Sequence, residues 1–295
     1  MQLYPGDIFD EFEVLKKIGR GSFSDVYLAH DTILDRVVVL KQLLPELCNN
    51  QDEWDAFIQE AQLTAALRHP GVITVHGLRI DNHLPSVVLV LEYMNGGTLR
   101  QMIDKKRRLS LKQMWNLGFQ IGNALRYLHD QGIIHRDLKP ENILYSNETG
   151  WFKLADFGLA YNPQRTELEG INYGQPGTLR YMSPEHAQDK NVDTRADQYA
   201  FAVVLYEALT GEYYLDVDTD NIEDEELIEH ISHDYPLHLP AVHHDAVLVE
   251  KLEDILLRAL SKTPDERYPS IGRFFQDFTR HIRYMETSPK PTNSR

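Results

Sequence analysis

Residues 127–158 contain two short polar segments whose side chains suit phosphate chemistry. The first supplies Asp137, Lys139 and Asn142, and the second supplies Asp156, followed by Phe157 and Gly158. Apolar, strand-like residues bound them: Ile133 and Ile134 before the first, residues 143–145 after it, and residues 152–154 before the second. The pattern predicts two short strands with polar loops between and after them, so that the acids can converge on one point. Carboxylates with an amide oxygen hold a divalent metal. A carboxylate beside an ammonium can orient a hydroxyl for phosphoryl transfer.

Residues 135–142 read HRDLKPEN and residues 156–158 read DFG. An Asp before an aromatic and a Gly is by itself an ordinary turn. Eight ordered positions of HRDLKPEN are a far more specific signal, and together the two segments resemble the catalytic loop and metal-binding motif of the eukaryotic-type protein kinases. Lysine at position 139 is the serine/threonine form of that loop.

The bulk properties agree with this reading and exclude others. A chain of 295 residues can bury a large core. Its net charge of −15 argues against a sequence-independent binder of nucleic acid or anionic membrane, since both need a basic face. A single cysteine, Cys48, precludes an intrachain disulfide and suits a reducing compartment. No apolar run approaches the ~20 residues of a membrane-spanning helix, and the first ten residues lack a signal-peptide pattern. A cytoplasmic protein with no membrane segment in this chain is the expectation.

Several elements must position the polar segments. Residues 12–18 alternate as a strand does and lead into GRGSFSDV, residues 19–26. There Gly19 and Gly21 let backbone N–H groups approach phosphates, and Phe23 can shield them. Residues 36–43 form a β-branched run carrying Lys41, which is costly in an apolar strand unless paired. Residues 53–67 read as an amphipathic helix with Trp54, Phe57, Ile58, Ala61 and Ala65 on one face and Glu60 beside it. Two further strands precede Asn95, Gly96 and Gly97, and the helix over 111–128 carries Met114, Leu117, Ile121, Leu125 and Leu128 as a stripe ending near Gly132. Residues 197–209 are apolar nearly all round, a buried helix that Asp197 can cap, and the resemblance implies that Asp197 also hydrogen-bonds the catalytic-loop backbone. Residues 212–236 hold a dense acidic run without Lys or Arg, read as a solvated face or a docking surface for a basic partner. One more helix is expected over 248–260, and residues 274–284 close the domain.

The resemblance covers residues 12–285 and is greatest to the bacterial branch of the family. It implies an α+β, bilobal kinase fold over residues 1–285: a small antiparallel-sheet lobe with one main helix to about residue 91, a hinge over 92–97, and a larger, mainly helical lobe over 98–285. Residues 286–295 are then a disordered tail or linker stub. ATP would lie against Ile18, Gly19, Gly21, Ser22, Phe23, Ser24, Val26, Val39 and Leu144, with Leu91 as gatekeeper and backbone groups of Glu92 and Met94 on adenine. Lys41, paired with Glu60, would contact the α- and β-phosphates. Asp156 and Asn142 would hold Mg²⁺, with Mn²⁺ as a substitute. Asp137 would take the hydroxyl proton while Lys139 steadies the γ-phosphate. Thr178 would bridge Asp137 and Lys139, Glu185 would pair with Arg267, and Arg136 would meet a phosphate or acid, with Thr166 as the autophosphorylation site.

The implied partner is a protein carrying Ser or Thr, with no nucleic acid, and nothing in the sequence specifies an oligomeric state. One departure from the family pattern is Ser24, where a third glycine is usual. It is the only support for a pseudokinase acting as a nucleotide-dependent binding module. A small-molecule kinase of the same fold would lack the Gly177-Thr178 and Ser183-Pro184-Glu185 platform.

Overall fold

The computed structural model describes residues 2–81, 86–160, 179–188, 190–219 and 221–287. The chain forms two compact units: Met1–Asn95 with Asp156–Gly158, and Gly96–Ala155 with Leu159–Arg295.

The first unit is a six-stranded antiparallel sheet with one helix. Its strands are β1 (Ile8–Phe9), β2 (Phe12–Arg20), β3 (Ser24–Asp31), β4 (Arg36–Leu43), β5 (Val75–Asp81) and β6 (Ser86–Glu92), in the order β1-β2-β3-β4-β6-β5. Helix α1 (Gln51–Ala66) lies between β4 and β5 in sequence. Side chains alternate across a strand, so the sheet has two different faces. On one, Tyr27, Ala29, Val38, Leu40, Val88 and Val90 pack with Leu3, Phe9, Phe12 and Val14. On the other, Leu43, Val87 and Leu89 pack with Phe57 and Ala61 of α1.

Helix α1 starts two residues before the expected Glu53, because the Asn50 side chain accepts from Asp52 and Glu53 N–H and caps it. Phe57 and Ala61 are buried as expected, with Trp54 and Ile58 packed beside them, but Ala65 is exposed and Leu63 and Thr64 are buried instead. Phe57, Ala61 and Thr64 follow the i, i+4, i+7 spacing of one helical face, and Ala65 falls off its edge.

The second unit is mainly helical. It contains α2 (Leu99–Lys106), α3 (Leu111–His129), a two-stranded hairpin of β7 (Ile143–Tyr145) and β8 (Phe152–Leu154), then α4 (Pro184–Ala187), α5 (Thr194–Thr210), α6 (Asp224–His233), α7 (Ala246–Ala259) and α8 (Ile271–Thr287). The whole predicted stripe of α3 is buried. A glycine makes its packing against α8 possible: a Cβ on Gly122 would lie 2.4 Å from the Phe275 ring. Gly132 takes the left-handed conformation at φ 74°, two residues beyond the Asp130 cap. Helix α5 is buried nearly all round, as its composition requires, and ends at left-handed Gly211. Helix α8 contains the closing stretch expected over 274–284 and runs to Thr287, past the expected domain end at 285. Among the described residues, no helix is long and apolar enough to cross a membrane.

Candidate active site

In the first unit, strand register decides which side chains share a face. Val26 pairs with Lys41 and Leu28 with Val39 across β3 and β4, and Lys41 pairs with Leu89 and Val39 with Leu91 across β4 and β6. Val26, Val39, Lys41 and Leu91 therefore stand on the α1 side of the sheet. Glu60 of α1 meets Lys41 there, Nζ to Oε1 at 2.6 Å, and Asp156 Oδ1 lies 3.2 Å from the same Nζ. Burial alone would lower the Lys41 pKa, but the Asp156 and Glu60 carboxylates outweigh it and hold the ammonium above its ordinary value. Burial pushes the Glu60 carboxyl up, against the pull of Lys41. The expected pairing of strand lysine and helix glutamate is present, with Asp156 as third member.

The glycine-containing turn links β2 and β3. Gly21 N–H donates to Ser24 O at 2.8 Å and Leu44 N–H to Phe23 O at 2.9 Å, while Ser22 lies between at the exposed tip. A Cβ on Gly19 or Gly21 would meet only ordinary contacts, 3.7 Å from Val26 and from Ser24 O. The fold itself does not require glycine there. Ser24 is buried as the first residue of β3. Ile18 is exposed and sits at a register shift between Lys17 and Gly19. Glu92 N–H donates to Thr74 O at 3.0 Å and its side chain accepts from Thr74 N–H at 2.6 Å. Met94 is buried.

In the second unit, Asp137, Lys139 and Asn142 converge. Asn142 Nδ2 donates to Asp137 Oδ2 and to Asp137 O, both at 2.9 Å, and Lys139 Nζ lies 3.0 Å from Oδ2. All three residues are buried. Asp137 Oδ1 accepts no hydrogen bond among the described residues. Ala155 N–H donates to Asn142 O at 2.9 Å, extending the β7–β8 hairpin to the residue before Asp156. Leu144 is bridged to Thr98, and Tyr145 exchanges hydrogen bonds with Gly96 and Gly97, which fixes the hairpin to the start of α2.

Asp197 holds the loop in shape. Its carboxylate accepts from His135 N–H at 2.9 Å and from Arg136 N–H at 3.0 Å, and Arg136 sits at a left-handed φ of 63°. A non-glycine residue in that region is strained and persists only where its surroundings impose it. Asp156 shares the same φ of 63°. Asp197 does not cap α5. Asp193 does so, by accepting from Arg195 N–H, because the helix starts at Thr194 and leaves Asp197 inside its first turn. Sequence reasoning missed His129, whose Nε2 lies 2.8 Å from Asp197 Oδ2. A histidine in the last turn of a helix reads as a favourable helix-end charge, and nothing local names its partner.

Burial would raise the Asp197 carboxyl, yet the His129 hydrogen bond, the nearby histidines and the backbone donor hold it below its ordinary value. A carboxyl lowered by folding adds stability that is present above about pH 4 and lost as pH falls through its folded value. The gap in urea midpoint between wild type and Asp197→Asn should therefore close below about pH 4. A constant gap from pH 7 to pH 2.5 would contradict this assignment.

Glu185 and Arg267 form the expected pair, two parallel bonds of 2.7 Å. Thr166 and Thr178 lie outside the described residues.

A family model described as protein kinase domain matches residues 12–278. The chain is 34% identical over 293 residues to the serine/threonine-protein kinase PknB of Mycobacterium leprae, which covers 97% of this chain and 45% of that protein. It is 33% identical over 282 residues to PknB of Mycobacterium tuberculosis (94% and 44%). Against the serine/threonine-protein kinase PrkC of Bacillus subtilis it is 32% identical over 262 residues (88% and 39%). The chain thus spans less than half the length of these curated relatives.

Proposed function

The chain belongs to the protein kinase domain family, in the serine/threonine type represented in bacteria, and on that premise we propose that it transfers the γ-phosphate of ATP to serine and threonine hydroxyls of proteins. The observation that carries this is the state of Asp137. One carboxylate oxygen is held by Lys139 and Asn142, while the other accepts no hydrogen bond among the described residues. A carboxylate oriented in this way is ready to take the proton of an incoming hydroxyl.

Each group has its own part in the reaction. Asp137 orients the hydroxyl and accepts its proton as the oxygen attacks phosphorus. Lys139 places positive charge where the γ-phosphate carries negative charge. Lys41, held by Glu60 against rotation, binds the α- and β-phosphates. The apolar side chains of Val26, Val39 and Leu91, on the α1 side of the sheet, form the surface for adenine.

The donor set fits a divalent metal. Asn142 turns its Nδ2 toward Asp137, which directs its Oδ1 elsewhere, and the Asp156 side chain is 41% exposed with Oδ1 facing Lys41. A carboxylate and an amide oxygen suit hard cations such as Mg²⁺ or Mn²⁺. By the family resemblance Asp156 and Asn142 would hold Mg²⁺, which would supply charge neutralisation for the phosphates. The single buried cysteine and the reliance on ATP support a cytoplasmic location for this domain.

The test is incubation with Mg²⁺ and ATP of the wild type beside Asp156→Asn, read by phosphopeptide mass spectrometry. Phosphate on Ser or Thr in the wild type alone is the expected result, and mapping shows whether Thr166 carries it. Absence of transfer from a wild type that binds nucleotide would refute the catalytic reading.

A further inference from the structure

Asp25 is a carboxylate in an unusual place. It stands in the strand just after the glycine-containing turn, is 2% exposed, and shares a face with Tyr27 and Ala29. That face packs on the apolar core with Val38 and Leu40, opposite the face bearing Val26 and Lys41. Two cations on β2 reach it: Lys17 Nζ at 2.5 Å and Arg20 Nε at 3.7 Å, with the Tyr27 hydroxyl donating to Oδ2 at 3.3 Å. Burial, with the Asp25 charge, raises the Tyr27 phenol to about 12, so it stays protonated and able to donate.

The ladder explains the convergence. Arg20 is directly opposite Asp25, and Lys17 is opposite Tyr27, with one extra residue, Ile18, between the Lys17 and Gly19 pairings. Such a bulge breaks the alternation and leaves β2 locally free to bend. Lys17 and Arg20 bracket that bulge, and Asp25 binds both. Arg20 also pairs with Glu46 at 3.3 Å, so the outer end of the turn is tied to the segment after β4.

Asp25 is buried but Lys17 and Arg20 are 33% and 55% exposed, so water screens these pairs and they add little to stability. What the charges add is a defined geometry. We propose that Asp25, through Lys17 and Arg20, is a positioning residue that fixes the height of the turn at Gly19–Ser24 over the opposite sheet face and thereby sets the affinity for nucleotide. Asp25 itself touches no phosphate. This rests on the kinase reading above.

Asp25→Asn keeps shape and the Tyr27 acceptor but removes the charge, and Lys17→Met removes the partner. Amide hydrogen exchange in the nucleotide-free chain reads the turn directly, and titration with Mg²⁺ and a fluorescent ATP analogue reads the consequence. Each variant should speed exchange over residues 19–24 and weaken nucleotide binding by about tenfold, as expected for one lost charge-assisted contact. The rate at saturating ATP and the exchange of β4 and β6 should stay unchanged, and the double variant should lose no more than either single one. Unchanged exchange in the turn overturns the proposal. So does unchanged affinity in a variant compared with a wild type that binds. A wild type that binds no nucleotide, while both variants loosen the turn, removes the kinase reading and leaves the anchor standing.

Discussion

Asp137→Asn lowers phosphoryl transfer at saturating ATP by roughly 10²–10⁴-fold, the range ascribed to a positioned proton acceptor. The amide keeps an oxygen that can accept from Asn142 Nδ2, now 2.9 Å from Asp137 Oδ2, so the loop retains its shape. It loses the capacity to take a proton and the counter-charge beside Lys139, now 3.0 Å away. The backbone of the loop is held independently by Asp197 through His135 and Arg136, so the melting temperature should move by no more than about 4 °C. Nucleotide affinity should be retained, because Asp137 is not among the groups assigned to ATP. A variant that keeps more than about a tenth of wild-type turnover would show that Asp137 only orients the substrate, or that another group takes the proton.

Arg267→Met should have the largest effect on stability. The Arg267 side chain is fully buried, and besides its two bonds to Glu185 it donates to Ser261 O at 2.8 Å, Arg195 O at 3.0 Å and Lys262 O at 3.4 Å. Its guanidinium also lies 4.9 Å from the Tyr199 ring centre. Removing it strands a buried carboxylate and three carbonyl acceptors, at a loss of about 3–5 kcal/mol. At a few degrees per kcal/mol for a chain of this size, the melting temperature should fall by roughly 10 °C. The second substitution Glu185→Leu in the same chain should recover part of that loss, since it removes the orphaned charge. Equal melting of Arg267→Met and wild type would show that the pair is replaceable in place. A double variant less stable than the single would show that Glu185 has another essential contact.

Much of the site was legible in the chain because its parts are contiguous. HRDLKPEN places Asp137, Lys139 and Asn142 within one loop, and strands β7 and β8 appear where apolar residues flank it. Local geometry follows local sequence where a motif is short and a periodic stripe is long, as in α3, whose five predicted residues are all buried. The pairing of Lys41 with Glu60, 19 positions apart, was expected from the family resemblance, and the strand register supplies its physical reason.

Other features depend on which elements pack together. Asp197 reads as a helix cap because it is an acid at the head of an apolar run, but Asp193 takes that role; the bond of Asp197 to the catalytic-loop backbone, 62 positions back at His135, was expected from the family resemblance alone and not from any local spacing. His129 finds Asp197 across 68 positions, and no spacing rule joins the end of one helix to the first turn of another. The Asp25 cluster depends on a single extra residue at Ile18, which sequence alternation alone cannot locate. The sequence by itself determined the family, the long periodic helices α1, α3, α5 and α7 and the chemistry of the polar loops, because those depend on residue type and near-neighbour spacing. Only the tertiary structure decided which further partners gather round a buried carboxylate, His129 at Asp197 and Lys17 with Arg20 at Asp25, because they are set by the packing that brings distant donors within reach of it.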